Sequence, residues 1–399
     1  MKQKLVLIGS GMVGARFIER LLAEAPNQYD IRVFNKEPTG GYNRIMLSPV
    51  LAGEKTLPEI MTHDVNWFDA RGVNLHAGTS VVAVDAINKT VTTDLGANYQ
   101  YDQLIIATGS KPFVIPIPGA TLPGVVTFRD TRDVNLMLDA SNLHPKAVVI
   151  GGGLLGLEAA NGLKIRGMDV TVVHRSDVLM NVQMDETSGG LLKQSLEDQG
   201  LKFEMNANTV AIEGDLRATG VRLADGRVLE ADLVVMAVGI RPNTIVGEKL
   251  GLDINRGIVV NDQMQTSEAS IFALGECVEH RGTTYGLVAP LYEQAQVLAK
   301  VLAGQDSAYS GSLTSTMLKV TGIQLFSAGA FKDATGTDSL VYKDLSQNVY
   351  RKIVLKDNKI IGSVMFGDTT GAKWIFEHLI SGKDVSACRD FLVFGEGFC

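Results

Sequence analysis

The chain has 399 residues, 45% hydrophobic, 20% charged and 6% aromatic, more than one hydrophobic core usually serves, so two or three globular domains are predicted. Lys and Arg total 37 against 44 Asp and Glu, a formal net charge of −7. Gripping a nucleic-acid backbone relies on concentrated positive charge, so that activity is excluded, whereas single nucleotides need only a few placed donors. Cys277, Cys388 and Cys399 are too few and too scattered for a disulfide framework or a cysteine metal site, and no metal site is predicted. The N-terminal MKQKLVLIGSG enters a strand and a glycine turn directly, without the apolar region of a signal peptide. No apolar run reaches spanning length, so a cytoplasmic protein with neither membrane nor nucleic-acid partners is expected.

In chain order, Lys4–Gly14 (KLVLIGSGMVG) reads as a β-branched strand, a G-x-G-x-x-G turn and the start of a helix. Gly78–Asp94 is strand-like and punctuated by turns. Asp102–Ser110 then gives an acid, a buried strand and a small-residue turn (DQLIIATGS). The Pro/Gly-rich stretch Lys111–Gly124 reads as a connector. The first pattern then returns, with AVVIGGGLLG at Ala147–Gly156, a hairpin signal at Asp225-Gly226 inside Gly220–Asp232, and DLVVMAVGI at Asp232–Ile240. Such self-similarity predicts two related α/β units with parallel, doubly covered sheets. Ser270–Glu276 is a further strand and Ala289–Gly304 a helix. From about Ser312 the texture becomes α+β, with strands at Val320–Ala330, Ser339–Tyr342, Val349–Leu355 and Lys359–Phe366 and a closing helix at Ala372–Ser381.

The glycines carry the chemistry. A strand–glycine–helix context gives each copy its meaning. Gly9 and Gly151 permit the tight turn, Gly11 and Gly153 admit a pyrophosphate to the backbone, and Gly14 and Gly156 let helix and strand pack closely. Met12 and Val13 in one helix, and Leu154 and Leu155 in the other, open a first turn whose N–H groups and partial positive charge suit an anion. The acid that usually holds a ribose hydroxyl about 20 residues on is missing from both halves. Asn35 takes its place in the first, with Lys36 and Glu37 next to it, and His174 in the second, followed by Arg175. Asn35 can bond a ribose and Glu37 can substitute for the acid. Arg175 is either a solvated loop cation or a partner for a 2′-phosphate, so NADH and NADPH stay as alternatives.

With Ala107-Thr108-Gly109 and the strand ending at Gly275-Glu276, these features resemble the FAD-dependent pyridine nucleotide–disulfide oxidoreductase superfamily. Tyr42–Glu54 (YNRIMLSPVLAGE) is similar to the FAD-binding part of assimilatory NAD(P)H-nitrite reductase large subunits, and rubredoxin and ferredoxin reductases are also similar. Gly151–Ala159, Ala237–Pro242, Gly286–Pro290 and Gly367-Asp368-Thr369 with Trp374 extend the resemblance along the chain. It implies a FAD-binding domain at 1–114 and 246–310, an NAD(P)-binding domain at 115–245 and a C-terminal α+β interface domain at 311–399. Gly9, Gly11 and Gly14 would hold the FAD pyrophosphate, Arg44 and Ser48 would approach its phosphates and flavin, and Val82 would flank the adenine. Ala107, Thr108 and Gly109 would close over the cofactor, and Gly275 and Glu276 would meet the ribityl hydroxyls. Glu158 would sit near nicotinamide and flavin, the one candidate catalytic residue, with Gly239 and Ile240 lining the nicotinamide path.

Disulfide reductases of that superfamily carry a C-x4-C pair after the first fingerprint, and its peroxidases and oxidases carry one redox cysteine near Tyr42–Ser48. Here no cysteine precedes Cys277. The resemblance therefore implies an NAD(P)H oxidoreductase whose reduced FAD hands electrons directly to a partner redox protein, such as a nitrate or nitrite reductase component, a ferredoxin or a rubredoxin. An oxygen-using oxidase and a redox-sensing protein similar to apoptosis-inducing factor are the alternatives, with a homodimer open in each. Nitrite reductase large subunits continue into iron–sulfur and sirohaem modules, whereas this sequence stops at Phe398-Cys399, so nitrite reduction within this stretch is not expected.

Overall fold

The computed structural model describes residues 2–320 and 322–399, and the chain packs as two compact units. One comprises the chain up to Leu47, Lys55–Lys111 and Ile240–Ser312; the other comprises Ser48–Glu54, Pro112–Gly239 and the chain from Leu313 on.

The first unit is built on five parallel strands in the order Ile271–Ala273, Gln103–Ile106, Gln3–Ile8, Tyr29–Asn35 and Asn74–Ala77. Leu5 pairs with Ile31 on one side and Gln103 on the other. Leu5, Leu7, Val33, Leu104 and Ile105 are fully buried, as the unbroken apolar runs require of strands covered on both faces. Helix Met12–Glu24 turns Phe17, Ile18 and Leu21 inward at helical spacing. Helix Val288–Leu302 packs against it through a face that includes Leu291, Ala295, Leu298 and Leu302.

The second unit repeats the plan. Its parallel order is Val125–Thr127, Leu233–Met236, Lys146–Ile150, Asp169–Val173 and Lys202–Glu204. Counting from each fingerprint strand, four strands follow the order 4-1-2-3 in both sheets. The fifth differs in origin: Ile271–Ala273 arrives late in the chain, whereas Val125–Thr127 precedes its fingerprint strand. Each unit also inserts a three-stranded antiparallel sheet, made of Val81–Asp85, Thr90–Thr93 and Asn98–Gln100 in one and Thr209–Glu213, Gly220–Leu223 and Val228–Glu230 in the other. The duplication extends to a register slip in the first strand of each insert, between Val81 and Ala83 and between Thr209 and Ala211. The extra residue of such a bulge is re-aimed. Val82 and Val210 are accordingly left 42% and 40% exposed. Gly226, with φ +91°, turns the predicted hairpin between Gly220–Leu223 and Val228–Glu230.

The C-terminal part of the second unit is an antiparallel sheet in the order Ser315–Val320, Ile323–Gly329, Lys359–Phe366, Val349–Lys356 and Asp338–Asp344. Helix Ala372–Ser381 covers it, with Ala372 and Ile375 in the core beside Phe326, Ile353 and Met365. The strand predicted at Val320–Ala330 begins later, at Ile323, residue 321 of that prediction lying outside the described residues. Ser315–Val320 is a strand that sequence pattern did not separate, and Ser386–Phe394 is a 3-10 run that it did not foresee. This sheet is tied to the helix Glu186–Asp198: Asp185 caps the helix by accepting from Ser188 N at 3.0 Å and also accepts from Tyr350 Oη at 2.7 Å. No helix among the described residues is long and apolar enough to cross a membrane.

Candidate functional site

Both glycine turns sit at the carboxyl ends of their parallel strands, where open α/β sheets bind ligands. Gly9 has φ +109°, and a Cβ there would stand 2.3 Å from Ala107 O. Gly151 has φ +123°, and its Cβ would stand 2.3 Å from Ala237 O. A side chain on Gly14 would come within 2.1 Å of Gly9 O, and one on Gly156 within 1.9 Å of Gly151 O. These four positions are closed to any side chain. Gly11 and Gly153 differ, because their Cβ would meet nothing within 4 Å. Each is also the N-cap of its helix and offers no side-chain cap, so nothing covers the first-turn amides of Met12 and Val13 or of Leu154 and Leu155 from that position. Open backbone at a helix N-terminus fits a pyrophosphate.

At the second strand end the two turns part. Asn35 Nδ2 donates to Thr39 O at 2.8 Å, which leaves its carbonyl oxygen to accept from a ligand hydroxyl. Lys36 is exposed. Glu37 accepts from Tyr42 Oη and from Arg44 Nη2, each at 2.8 Å, and the guanidinium of Arg44 lies 5.2 Å from the Tyr42 ring centroid. Burial by itself disfavours the Arg44 charge, but Tyr42 and Glu37 outweigh it and raise the pKa, with Glu276 adding to the effect. Glu276 in turn accepts from Ser110 Oγ at 2.8 Å. Thr108 Oγ1 donates to Asn243 O at 2.7 Å, and Asn243 N–H donates back to Gly109 O at 2.9 Å. The first unit thus gathers Asn35, Glu37, Arg44, Ala107–Gly109 and Glu276 around the rim of its turn.

In the second unit His174 stands where expected, with both ring nitrogens engaged. Gly152 N–H donates to Nδ1 at 3.1 Å, and Nε2 faces Val178 O at 3.1 Å. That pattern assigns the proton to Nε2, and burial lowers the pKa, favouring the neutral ring. His174 therefore holds the turn in shape. Arg175 is exposed beside it. Glu158 accepts from Ser48 Oγ at 2.5 Å, and burial pushes its carboxyl above the usual range, an effect that Ser48 opposes. Ser48, grouped by motif with Arg44, is thereby brought to the helix Leu154–Ile165, whose C-cap Arg166 donates from Nε to Leu51 O at 2.7 Å. Gly239 has φ +119° with open space at its Cβ, and Ile240 is 38% exposed.

Sequence reasoning missed several supporting residues. Gln294, fully buried, accepts Gly275 N–H at 3.0 Å and so fixes the turn before Glu276. Ser110 and Asn243 hold the rim, and Val210 repeats the bulge of Val82. Only the duplication itself pointed to Val210. The polar atoms agree with a ligand in the first turn: Ser10 Oγ, between Gly9 and Gly11, and Thr39 Oγ1 are buried without a hydrogen-bond partner among the described residues. The three free thiols include just one near this rim. Cys277 is completely buried, donates to Leu274 O at 3.3 Å, and has a pKa raised by burial, the setting of an inert thiol.

Twin dinucleotide-type turns on parallel sheets, joined to an antiparallel C-terminal sheet, define a two-nucleotide α/β oxidoreductase fold. The chain belongs to the pyridine nucleotide-disulphide oxidoreductase family, whose profile matches residues 3–299, and residues 315–383 match the rubredoxin NAD+ reductase C-terminal domain. It is 49% identical over 386 residues to a nitrite reductase [NAD(P)H] of Bacillus subtilis, covering 96% of this chain and 48% of that protein. It is 43% identical over 393 residues to the assimilatory nitrate reductase electron transfer subunit of the same organism, covering 98% and 51%. The chain thus spans about half the length of these curated relatives. Among solved structures, NADH:rubredoxin oxidoreductase from Clostridium acetobutylicum superposes with a TM-score of 0.83 at 26% identity, covering 98% of this chain and 99% of that one. The expected fold class is borne out, and the family uses FAD and NAD(P)H.

Proposed function

We propose that this chain is an FAD-dependent NAD(P)H reductase that passes electrons to a separate redox protein. The observation that carries the reading is the pair of sterically closed glycine turns, each with an open central glycine at an uncapped helix N-terminus. The first turn holds the FAD pyrophosphate, with Arg44 supplying the counter-charge, Asn35 or Glu37 bonding a ribose hydroxyl, Val82 beside the adenine and Glu276 bonding the ribityl chain. The second holds NAD(P)H, its pyrophosphate at Gly153–Leu155, its ribose side along His174 and Arg175, and its nicotinamide end along Gly239, Ile240 and Glu158. Bound FAD supplies a centre that takes two electrons together and can release them singly.

The chain's own residues position and tune. Arg44, charged and clamped by Glu37, is already oriented for a phosphate. No cysteine lies between the two turns, so no thiol relay intervenes. The acceptor is a nitrate or nitrite reductase component, a ferredoxin or a rubredoxin, a reading supported by relatives named for nitrate reductase electron transfer and for rubredoxin reduction. The domain reading of 1–114 with 246–310, 115–245 and 311–399 is retained, the last supplying the acceptor face.

The test is anaerobic stopped-flow mixing with NADH and with NADPH, followed by an acceptor panel of cytochrome c with and without rubredoxin or ferredoxin. Bleaching of the flavin and acceptor-dependent turnover are expected. A flavin untouched by either nucleotide defeats the reading, and fast partner-free oxygen consumption replaces it with an oxidase.

A further inference from the structure

The two cysteines of the C-terminal domain are far apart in pattern but close in space. After helix Ala372–Ser381 the backbone enters the 3-10 run Ser386–Phe394 and leaves helical geometry inside it, at Cys388 (φ −127°, ψ 18°). Leu392 and Val393 seat the middle of the run in the core, where Arg351 Nη1 donates to Val393 O at 3.2 Å. Gly395, with φ +99°, then reverses the chain, and Phe398 N–H donates to Gly395 O and Cys399 N–H to Glu396 O, each at 3.1 Å. These consecutive turns return Cys399 to Cys388. Its Sγ lies 3.8 Å from Cys388 O, and its thiol is in hydrogen-bonding contact with the Cys388 side chain. Cys388 is half-buried and Cys399 exposed, whereas Cys277 is sealed.

We infer that Cys388 and Cys399 are a peroxide-sensitive dithiol, a modification site that closes to an intrachain disulfide. The sulfur of Cys388 attacks one oxygen of hydrogen peroxide. The S–O bond forms, the O–O bond breaks, and the departing hydroxide takes up the thiol proton to leave as water. The sulfur of Cys399 then attacks that of Cys388, forming the S–S bond and breaking the S–O bond, and a second water leaves. The two thiols lose two electrons in all and one peroxide becomes two waters. Burial and the neighbouring Cys388 push the Cys399 thiol up to about 11, and its proton passes to the departing hydroxide as its sulfur attacks as the thiolate.

Closure would tie down a loop that carries Phe391, Phe394 and Phe398, exposed by 54%, 49% and 63%. Phe394 packs against Tyr342 and Phe398, with ring centroids 6.0 Å and 5.7 Å apart. The oxidation state of the pair therefore sets the freedom of an exposed aromatic surface. This inference is independent of the electron-transfer reading, because it involves neither glycine turn.

The experiment treats the intact protein with stoichiometric hydrogen peroxide, alkylates remaining thiols and digests with trypsin without reduction. Trypsin cuts after Lys383 and, between the two cysteines, after Arg389, so the peptide 384–389 and the peptide that begins at Asp390 stay together only if the disulfide has formed. The expected result is that linked species, about 2 Da lighter than the sum of the two free-thiol peptides, in a chain that remains a single polypeptide on a non-reducing gel. In Cys399→Ser, Cys388 should instead accumulate a dimedone-trappable sulfenic acid. Unlinked peptides carrying sulfinic or sulfonic acids, free thiols under peroxide that oxidises methionines elsewhere, or a link between two chains would each overturn it.

Discussion

The two glycine turns share the same prohibitions to within 0.2 Å: a Cβ at Gly9 or Gly151 meets a carbonyl at 2.3 Å, and one at Gly14 or Gly156 meets a carbonyl at 2.1 or 1.9 Å. At the neighbouring strand end the resemblance stops. The first turn is flanked by Asn35, tied once, and by a carboxylate clamped to a guanidinium. The second is flanked by a neutral imidazole tied twice and by an exposed, adjacent cation. The turn is dictated by backbone sterics, which tolerate no variation. The flanking residues are under no such constraint, and there the two copies differ.

Glycine substitutions should separate the copies most strongly. Gly9→Ala should yield a protein purified without flavin, read as the ratio of absorbance near the flavin band to that of protein. Gly151→Ala should keep its flavin but lose roughly tenfold or more in nucleotide affinity, equivalent to about 1.4 kcal/mol. The reverse pattern would assign the cofactors the other way round. Next in size are the flanking residues. Arg44→Ala removes a charge-assisted contact and should weaken flavin retention by roughly 10–100-fold, from about 1.5–3 kcal/mol, with nucleotide binding to the second turn unchanged. His174→Ala should do the converse: flavin content holds, while thermal unfolding shifts down and the nucleotide KM rises as the turn at Gly152 loses its prop.

Smallest are the pH effects, which carry opposite signs in the two units. Asp262, bonded by Arg281 and His280, is held at about 2, below its ordinary value of 3.8. Its folded pKa is depressed, so its contribution is present above pH about 4 and is lost as pH falls toward 2. Glu158 is shifted upward by burial. The folded state therefore binds the proton more tightly than the unfolded one, and the Glu158 contribution is greatest at low pH and declines as pH rises through the folded pKa. Melting curves against pH should show Asp262→Asn flattening the acid limb alone. Glu158→Gln should instead be relatively more stable than the parent at higher pH. A Glu158→Gln curve parallel to the parent would mean that the carboxyl is not held in its raised state.

How much of this could be read from residues alone follows from the range of each interaction. The glycine spacings, the strand ends at Ala107 and Ala237 and the hairpin at Gly226 are local constraints, and each was legible. The lock on His174 was not, because it needs Gly152 and Val178 placed around the ring by packing. Ser48 read as a companion of Arg44, four positions away, yet it bonds Glu158, 110 positions away. Gln294 is one of several polar residues in its helix, and only the arrival of Gly275 shows what its carbonyl oxygen accepts. Ser315–Val320 escaped because its mixed polar texture gives no clean alternation.

The differing origin of the fifth strands bears on how the polypeptide assembles as it leaves the ribosome. The second sheet draws its five strands from one continuous stretch, Val125 to Met236, and has them all once that stretch has emerged. The first sheet has four strands by Ile106, but the edge at Gln103–Ile106 must wait for Ile271–Ala273, held open through the whole intervening synthesis. Domains tend to fold as units during synthesis, and closing so long a loop costs entropy. The later-encoded sheet is thus complete first, and the N-terminal one keeps an unpaired strand edge until Ile271–Ala273 has been made.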